Sequence, residues 1–419
     1  MREMKDSGIE WIGEIPKSWL LKPLKYCLEE INIKNNPVIS NTILSLVKDI
    51  GVMPYEKKGD KGNKAKEDIS EYKIAYPNTL VVNSMNILIG SVGISDYFGC
   101  VSPVYYVFKD TNVSDIRFIN YLFNTREFQK ELRKYAKGIL EIRLRVSSYD
   151  IFKRDIPLPP LTEQQKIADF LDKKCSQIDS LRADIEKQIE ILEEFKKSVI
   201  TEAITKGLDP NVEMKDSGIE CIGEIPKDWK ISKFKYIASI KSNLVSPDGF
   251  EDYPQISPDN IEKNSGRLLN YNTVEESGII SGNHLFYKGQ IIYSKIRPNL
   301  NKAIIAPFTG LCSADMYPIE TGINTQFLLY AMLSYYFVEQ VSLVIKDRVK
   351  MPKINQDELG LIYVSVPPID EQINIVEFLE QQCSEINSLI DAKRNQLNIV
   401  DAYKKSLIYE YVTGKKEVI

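Results

Sequence analysis

A tandem repeat limits what this chain can form more than any other feature of the sequence. Residues 4–17 read MKDSGIEWIGEIPK and residues 214–227 read MKDSGIECIGEIPK, so the two segments differ only at Trp11 and Cys221. A second match joins the segment that begins at Pro159 to the one that begins at Pro367, 208 residues later. Two such matches at nearly one spacing identify a duplication, and the 419 residues are therefore two copies of one unit.

The centre of each copy differs from the other although the ends match. Residues 20–157 and 230–365 align poorly, but both contain short runs of β-branched and aromatic residues interrupted by Gly, Asn and Pro. Each run is followed by a stretch with helical pattern, Ile116–Tyr135 in the first copy and Thr325–Val344 in the second. The sequence thus predicts two mixed α/β (α+β) domains, with one scaffold and two specificities.

A long heptad pattern follows the Pro-Pro pair of each copy. Apolar residues recur at heptad spacing over about four heptads, which predicts a seam between two long helices, interrupted by Gln188, Lys393 and Gln396. The predicted seam residues are Leu171, Ile178, Leu181, Ile185, Leu192, Phe195, Val199, Leu379, Ile386, Leu389, Val400, Tyr403 and Leu407.

The length of these helices bears on how they pack. A helix of roughly 40 residues rises about 60 Å, which is more than a domain of this size needs. We therefore expect the two helices to pair with each other as an antiparallel coiled coil, in a pseudo-two-fold molecule. The alternative is that each helix packs on its own domain. The predicted order is a domain at 1–157, a helix at 158–206, a domain at 207–365 and a helix at 366–419.

Composition and missing motifs exclude several classes of protein. No apolar run approaches the ~20 residues of a membrane span, and the start of the chain does not resemble a secretory signal. The six cysteines form no CxxC pair and His284 is the single histidine, so we expect no metal site, and free thiols in a cytoplasmic protein. Neither a Gly-rich cofactor loop nor a phosphate loop is present, and we predict no catalytic residues.

The net charge of −4 argues mildly against binding to nucleic acid, but basic and amide residues cluster in the variable centres. Such side chains bind phosphate groups and pair with the edges of guanine and adenine, whereas the alternative is an ordinary solvated surface. When the two halves of the chain are aligned, residues 83–86 fall opposite residues 293–296. The predicted DNA-binding residues are Lys57, Lys58, Lys61, Asn83, Asn86, Lys137, Arg143 and Arg145 in the first half and Lys295, Arg297, Asn299, Lys302, Lys346, Arg348 and Lys350 in the second.

Three motifs carry a resemblance to a known family. KDSGIEWIGEIPKSW, YSKIRPNL with the later CSAD, and IPLPPLTEQQKIADFLD with its second copy resemble the specificity (S) subunits of type I restriction-modification systems. The resemblance covers essentially the whole chain. Cys221 departs from it, because Trp11 stands at this position in the first copy.

The resemblance implies a function and a set of partners. Each of two target recognition domains would read one half of a bipartite site in double-stranded DNA, and the helices would set the spacing between the halves. The partners implied are two methyltransferase (M) subunits, and two restriction (R) subunits for cleavage. No cofactor is expected in this chain, whereas S-adenosylmethionine, ATP and Mg are expected in the partner subunits. The alternatives are a scaffold that binds only proteins and, less favoured, a fused enzyme.

Overall fold

The computed structural model describes residues 2–48, 50–59, 65–66, 68–138, 144–348 and 350–418. The chain divides into two compact units. Unit 1 contains residues 1–185 and 395–419, and unit 2 contains residues 186–394. Both divisions fall inside long helices, so each unit combines one globular domain with part of each helix.

Unit 1 begins with short strands. These are β1 (Met4–Asp6), β2 (Glu14–Pro16), β3 (Leu20–Pro23), β4 (Leu28–Glu30), β5 (Leu44–Val47), β6 (Gly51–Pro54), β7 (Lys73–Ala75), β8 (Thr79–Asn83), β9 (Val92–Ser95), β10 (Gly99–Val101), β11 (Tyr105–Asp110) and β12 (Asp155–Leu158). The helices that begin in this unit are α1 (Ile116–Phe123), α2 (Arg126–Arg133), α3 (Ser148–Phe152) and the long α4 (Leu161–Lys206).

Unit 2 repeats the plan with insertions. Its strands are β13 (Met214–Asp216), β14 (Glu224–Pro226), β15 (Lys230–Lys233), β16 (Ala238–Ile240), β17 (Leu244–Val245), β18 (Pro254–Ile256), β19 (Asn272–Thr273), β20 (Asn283–Phe286), β21 (Ile291–Ser294), β22 (Ala303–Ile305), β23 (Gly310–Cys312), β24 (Met316–Thr321) and β25 (Tyr363–Val366). Its helices are α5 (Phe234–Ile237), α6 (Val274–Ser277), α7 (Thr325–Leu333), α8 (Tyr335–Ile345), α9 (Gln356–Gly360) and the long α10 (Ile369–Val412).

One antiparallel sheet is common to both domains. Its strand order is β4-β11-β8-β9 in unit 1 and β16-β24-β21-β22 in unit 2. The domains differ beside this sheet, because unit 2 adds a five-stranded sheet, β17-β20-β23-β18-β19, whereas unit 1 has the separate pairs β5-β6 and β7-β10. The mixed α/β domains predicted from the repeat are confirmed, and the poorly aligned centres have different topologies.

The helical stretch of each domain is broken where the sequence predicted it to be continuous. Thr125 separates α1 from α2, and its hydroxyl accepts the Phe128 N–H; Ser334 separates α7 from α8 and accepts the Phe337 N–H. Hydroxyl side chains favour helix N-caps because they satisfy backbone donors that lack intrahelical partners. A short polar interruption thus begins a second helix in each domain.

A contact that occurs in both units attaches each long helix to its domain. The Trp19 indole N–H donates to Glu163 at 3.0 Å in unit 1, and the Trp229 indole N–H donates to Glu371 at 2.8 Å in unit 2. Both tryptophan side chains are fully buried, so these bonds satisfy donors that water does not reach. The side chain of the next residue in each long helix, Gln164 or Gln372, accepts a hydrogen bond from the backbone N–H of the N-cap residue of α1 or α7.

The two long helices pair in an antiparallel coiled coil, as predicted. In unit 1, Asp179 contacts Lys404 at 2.6 Å and Arg182 contacts Asp401 at 3.3 Å. Residue numbers therefore increase along α4 while those of the contacting residues in α10 decrease, which is the antiparallel order. In unit 2 the same order holds, because Glu193 lies 3.4 Å from Arg394, and Lys196 donates to Asn387 at 3.0 Å.

The register of the predicted seam is partly wrong. Leu171, Ile178, Ile185, Leu379, Ile386 and Leu407 are buried, and Leu192, Val199 and Val400 are half-buried. In contrast, the residues placed three positions after them are half or more exposed, and these are Leu181, Phe195, Leu389 and Tyr403. The second row of the seam lies four positions after the first, where Cys175, Lys196, Ala203, Cys383 and Ile390 are buried. Residues three and four apart lie on the same helix face, so the apolar pattern alone did not separate the two registers.

In the part of the chain that the structure describes, no single helix is long and apolar enough to cross a membrane. Taken together, α7 and α8 have the length and apolar composition of a membrane span, but the chain bends by 60° between them. Most residues of α7 are buried in the core of unit 2.

Candidate nucleic-acid interface

Two basic segments that are distant in the sequence lie side by side in the domain of unit 2. The loop after β21 and the segment before α9 are joined by backbone hydrogen bonds, from the Arg297 N–H to Pro352 at 2.8 Å and from the Ile354 N–H to Lys295 at 3.0 Å. We call this contact the unit 2 junction, residues 294–302 with 350–354. It brings together two of the basic runs that the sequence singled out.

The backbone of the unit 2 junction departs from common geometry. Arg297, Asn301 and Met351 all have positive φ, at 44°, 44° and 45°. Such conformations cost about 1–3 kcal/mol and persist at positions that the surrounding structure holds firmly, which are often functional. Asn301 is buried, and its side-chain amide donates to the Met332 carbonyl at 3.0 Å. The Arg297 side chain is exposed, so the strained loop presents a guanidinium group to solvent.

Several predicted DNA-binding residues of unit 2 have partners inside the domain. Lys295 donates to the Ala314 carbonyl at 2.6 Å, and Lys302 donates to the Pro258 carbonyl at 2.7 Å. Arg348 pairs with Glu358 and also donates to the Lys353 carbonyl, and this guanidinium holds the pKa of the Glu358 carboxyl below its ordinary value. These side chains stabilise the junction in the structure.

The remaining candidates in unit 2 are exposed. Lys346 and Lys350 lie on either side of Arg348, at the end of α8 and in the segment that follows. Asn299 is also exposed, and its amide oxygen accepts the Ser342 hydroxyl at 3.0 Å. With Arg297, these residues form the surface that can contact a ligand without breaking an internal ion pair.

Unit 1 contains an equivalent junction, residues 83–86 with 145–146. The Val146 N–H donates to the Ser84 carbonyl at 3.2 Å, and the Arg145 guanidinium lies 3.2 Å from the Met85 sulfur. Lys137 and Arg145 exchange backbone hydrogen bonds of 2.8 and 2.9 Å. The structure therefore places Asn83, Lys137 and Arg145 in one region, although the sequence indicated them only as separate runs.

The two junctions share a tyrosine that the sequence reasoning missed. The Tyr106 hydroxyl donates to Val146 at 3.3 Å, and the Tyr317 hydroxyl donates to Ile354 at 3.2 Å. Each tyrosine lies on the strand next to the one that leads into the junction. Its signal in the sequence is a tyrosine at matched places in two strands that otherwise differ.

Strand register corrects the alignment of the two junctions. Val82 pairs with Tyr106 and Tyr293 pairs with Tyr317, so Val82 is equivalent to Tyr293. The sequence comparison placed Asn83 there, one residue away. Asn83 is itself buried, and its side chain accepts the Met85 N–H at 3.1 Å, which shapes the turn.

Other candidates of unit 1 lie elsewhere or are not described. Asn86 is exposed in the turn after β8. Lys57 and Lys58 lie on the 3₁₀ turn Tyr55–Lys58 that follows β6, where the Lys58 ammonium lies 4.2 Å from the Tyr55 ring centre. Lys61 and Arg143 fall outside the described residues.

Comparison with known protein families bears on this duplicated arrangement. A family model described as "Type I restriction modification DNA specificity domain" matches residues 25–191 and 226–398, once in each half of the chain. The chain belongs to this family. The expectation drawn from the KDSGIEWIGEIPK and TEQQKIADFLD motifs is thereby confirmed.

Curated members of the family are similar over different lengths. The type I restriction enzyme EcoDI specificity subunit of Escherichia coli is 35% identical over 281 residues, which are 64% of this chain and 63% of that protein, less than two thirds of its length. The putative type I restriction enzyme MjaX specificity subunit of Methanocaldococcus jannaschii is 27% identical over 440 residues, covering 97% of this chain and 96% of that protein.

A solved structure supports the fold of this family member. A chain from work on complex assembly and conformational transition of the type I R-M system superposes with a TM-score of 0.69. The match covers 96% of this chain and 99% of that one at 14% sequence identity, and so supports the fold alone.

Among the described residues, no group of His, Cys, Asp or Glu side chains is arranged to hold a metal ion.

The long helices of this family member also carry exposed apolar side chains. Leu181, Ile399 and Tyr403 form what we call the unit 1 patch, and each is at least half exposed. Leu181 and Tyr403 each precede a seam residue, and in an antiparallel pair such positions flank the same side of the seam. The matching residues in unit 2 form the unit 2 patch, Ile191, Phe195 and Leu389, with similar exposure.

Proposed function

We propose that this chain is the DNA sequence-specificity subunit of a type I restriction-modification complex and has no catalytic role of its own. Membership of the specificity-domain family and the names of its relatives support this proposal. The observation that carries it is the junction built twice, at residues 83–86 with 145–146 and at 294–302 with 350–354. One backbone frame with different exposed side chains is what two half-sites of different sequence require.

In this proposal each recognition domain reads one half of a bipartite site in double-stranded DNA. Exposed Arg297 in unit 2 and exposed Arg145 in unit 1 are the first candidates for contacts with base edges, since arginine pairs with guanine through two hydrogen bonds. Exposed Lys346 and Lys350 contribute contacts with phosphate, which position the domain but carry no sequence information. The Arg348 side chain is also exposed, but its pairing with Glu358 holds it against the domain beside this surface.

The paired helices set the spacing between the two half-sites in this proposal. Each helix contributes residues to both units, and its partner runs antiparallel in each. A helix changes its length by 1.5 Å for every residue, so helix length sets a spacing in small steps.

Two methyltransferase subunits bind this chain in the proposal, one on each apolar patch. Each patch exposes three large apolar side chains, and one patch repeats the other at the spacing of the duplication. A surface that occurs twice fits two copies of one partner, and exposed apolar groups of this kind mark protein interfaces. Restriction subunits would join for cleavage, and S-adenosylmethionine, ATP and Mg would belong to the partner subunits.

Co-expression with a methyltransferase subunit tests the proposed function. We expect adenine methylation at one bipartite motif throughout the genome of the host, and no methylation when either protein is expressed alone. Methylation without a motif, or none with both proteins present and soluble, would contradict a role in sequence specificity. An electrophoretic binding assay over a range of salt concentrations adds a direct measure, because binding through phosphate contacts weakens as salt rises.

A further inference from the structure

Two lysines at equivalent places in the coiled coil have different partners. In unit 1 the Lys404 ammonium lies 2.6 and 2.8 Å from the two carboxylate oxygens of Asp179. In unit 2 the equivalent Lys196 donates to the amide oxygen of Asn387 at 3.0 Å. Asn387 follows Asp179, and Lys404 follows Lys196, by the 208 residues of the repeat. The duplication therefore keeps the lysine and replaces its carboxylate with a neutral amide.

The lysine with the neutral partner is also the more deeply buried one. Lys196 is buried, whereas Lys404 is only half-buried. A buried ammonium group is costly without an opposite charge beside it, and its burial lowers the pKa of Lys196. Lys196 is therefore both more deeply buried than Lys404 and without the carboxylate partner that stabilises Lys404.

Nearby carboxylates of unit 2 have other partners. Glu193 and Glu262 both accept hydrogen bonds from Arg394, at 3.4 and 3.0 Å. Asp391 lies 3.4 Å from Arg267. Glu193 and Glu262 act on Lys196 through their charge, but among the described residues no hydrogen bond or ion pair joins any of these acids to its ammonium group in the way that Asp179 holds Lys404.

Open space lies beside Lys196. Two cavities of about 70 and 410 Å³ are both lined by Lys196, Arg267 and Asn387. A single water molecule needs only about 10–15 Å³ of such space. A group larger than water therefore fits next to the ammonium.

We propose that the cavity beside Lys196 binds a carboxylate group, which completes in unit 2 the ion pair that Asp179 makes in unit 1. A single negative charge matches the ammonium group of Lys196, because Arg267 and Arg394 on the cavity wall are already paired with Asp391, Glu193 and Glu262. The carboxylate comes either from a small free acid or from an acidic side chain of another chain. The site does not depend on the proposed role in DNA recognition.

Thermal unfolding of the full chain in sodium acetate and in sodium chloride of equal ionic strength tests the site. We expect the wild-type Tm to be about 2 °C higher in acetate, because a ligand that binds the folded state stabilises it. Asn387→Asp supplies the carboxylate internally and should remove the difference, as should Lys196→Met. Lys404→Met is the matched control and should keep it. Equal acetate effects in the wild type and N387D, or none in the wild type, would overturn the proposal.

A second measurement avoids unfolding. The resonance of ¹³C-labelled acetate should broaden on addition of the folded wild-type chain and stay sharp with folded N387D. A sharp resonance with the wild type would also overturn the site. Loss of broadening when methyltransferase subunits are added supports the site and assigns the carboxylate to their acidic side chains. Broadening that persists in the complex supports it and assigns the carboxylate to a small acid.

Discussion

Gly414 provides a sharp test of how the end of a long helix is seated on its domain. It follows α10 with φ at 74°, a conformation that side chains disfavour. A Cβ at this position would lie 2.5 Å from Pro16 Cδ and 3.1 Å from the Trp19 ring. Gly207 is its equivalent after α4, with φ at 75°, but its nearest neighbour is the Glu371 carboxylate at 3.0 Å.

The two glycines therefore predict different losses for the same substitution. Placing alanine at a positive φ costs about 1–2 kcal/mol. We expect Gly207→Ala to lose only slightly more than this, because the Glu371 carboxylate need shift by only a few tenths of an ångström and can still accept the Trp229 indole N–H. Gly414→Ala meets a rigid proline ring, and overpacking adds about 1–3 kcal/mol, for a total of about 2–5 kcal/mol. Urea unfolding, followed by tryptophan fluorescence, measures each free energy of unfolding.

Gly8→Ala in the same unit is the matched control. Gly8 has φ at 70° and no atom within 4 Å of an added Cβ, so it isolates the cost of the backbone conformation. A Gly414→Ala variant that loses no more stability than Gly8→Ala would refute the close contact of the helix end with Pro16 and Trp19.

Three further predictions concern the two surfaces and the ion pair beside them. Arg297→Ala should relax the second half of the methylation motif at one position, at a cost of about 1–3 kcal/mol in specific DNA binding. Arg348→Ala should instead lower the stability of the domain, so methylation mapping and urea unfolding distinguish the two variants. An unchanged motif in R297A would show that Arg297 does not read a base. Phe195→Ser should change the free energy of unfolding by under about 0.5 kcal/mol because the side chain is 54% exposed. The same substitution should weaken the binding of a methyltransferase subunit, measured by calorimetric titration. Unaltered affinity would rule out the unit 2 patch as the docking surface. Arg348 lowers the pKa of Glu358 below its ordinary 4.5, so the pair contributes stability above about pH 5 that is lost as pH falls below 4.5. Glu358→Gln should therefore flatten the dependence of stability on pH in this range. A dependence identical to that of the wild type would show that the pair does not contribute.

The repeated frames were the part of the fold most accessible from sequence. The matched segments around Trp19 and Trp229 predicted a common scaffold, and their indole contacts with Glu163 and Glu371 explain why those four residues recur. The heptads predicted that the two helices pair, but not that the end of each helix packs into the core of the other copy's domain, as Ile204 and Ile408 do. That packing depends on contacts between residues hundreds of positions apart, such as the Tyr409 hydroxyl with the Trp11 carbonyl.

Local patterns were less informative where two arrangements satisfy them equally. Apolar residues stand both three and four positions after Ile386, and burial selects Ile390 while Leu389 remains exposed. The junctions were predicted only as separate basic runs. Their meeting depends on strand register, and the same register moved the equivalence of Asn83 by one residue.

Exchange of one recognition domain tests the central claim most directly. Residues 20–157 would be replaced by the corresponding segment of another family member, and the chain co-expressed with its methyltransferase subunit. Genome-wide mapping of methylated adenines should then show a change in one half of the bipartite motif, with the other half and the spacing kept. A change in both halves, or in neither, would contradict two independent readers joined by a common pair of helices.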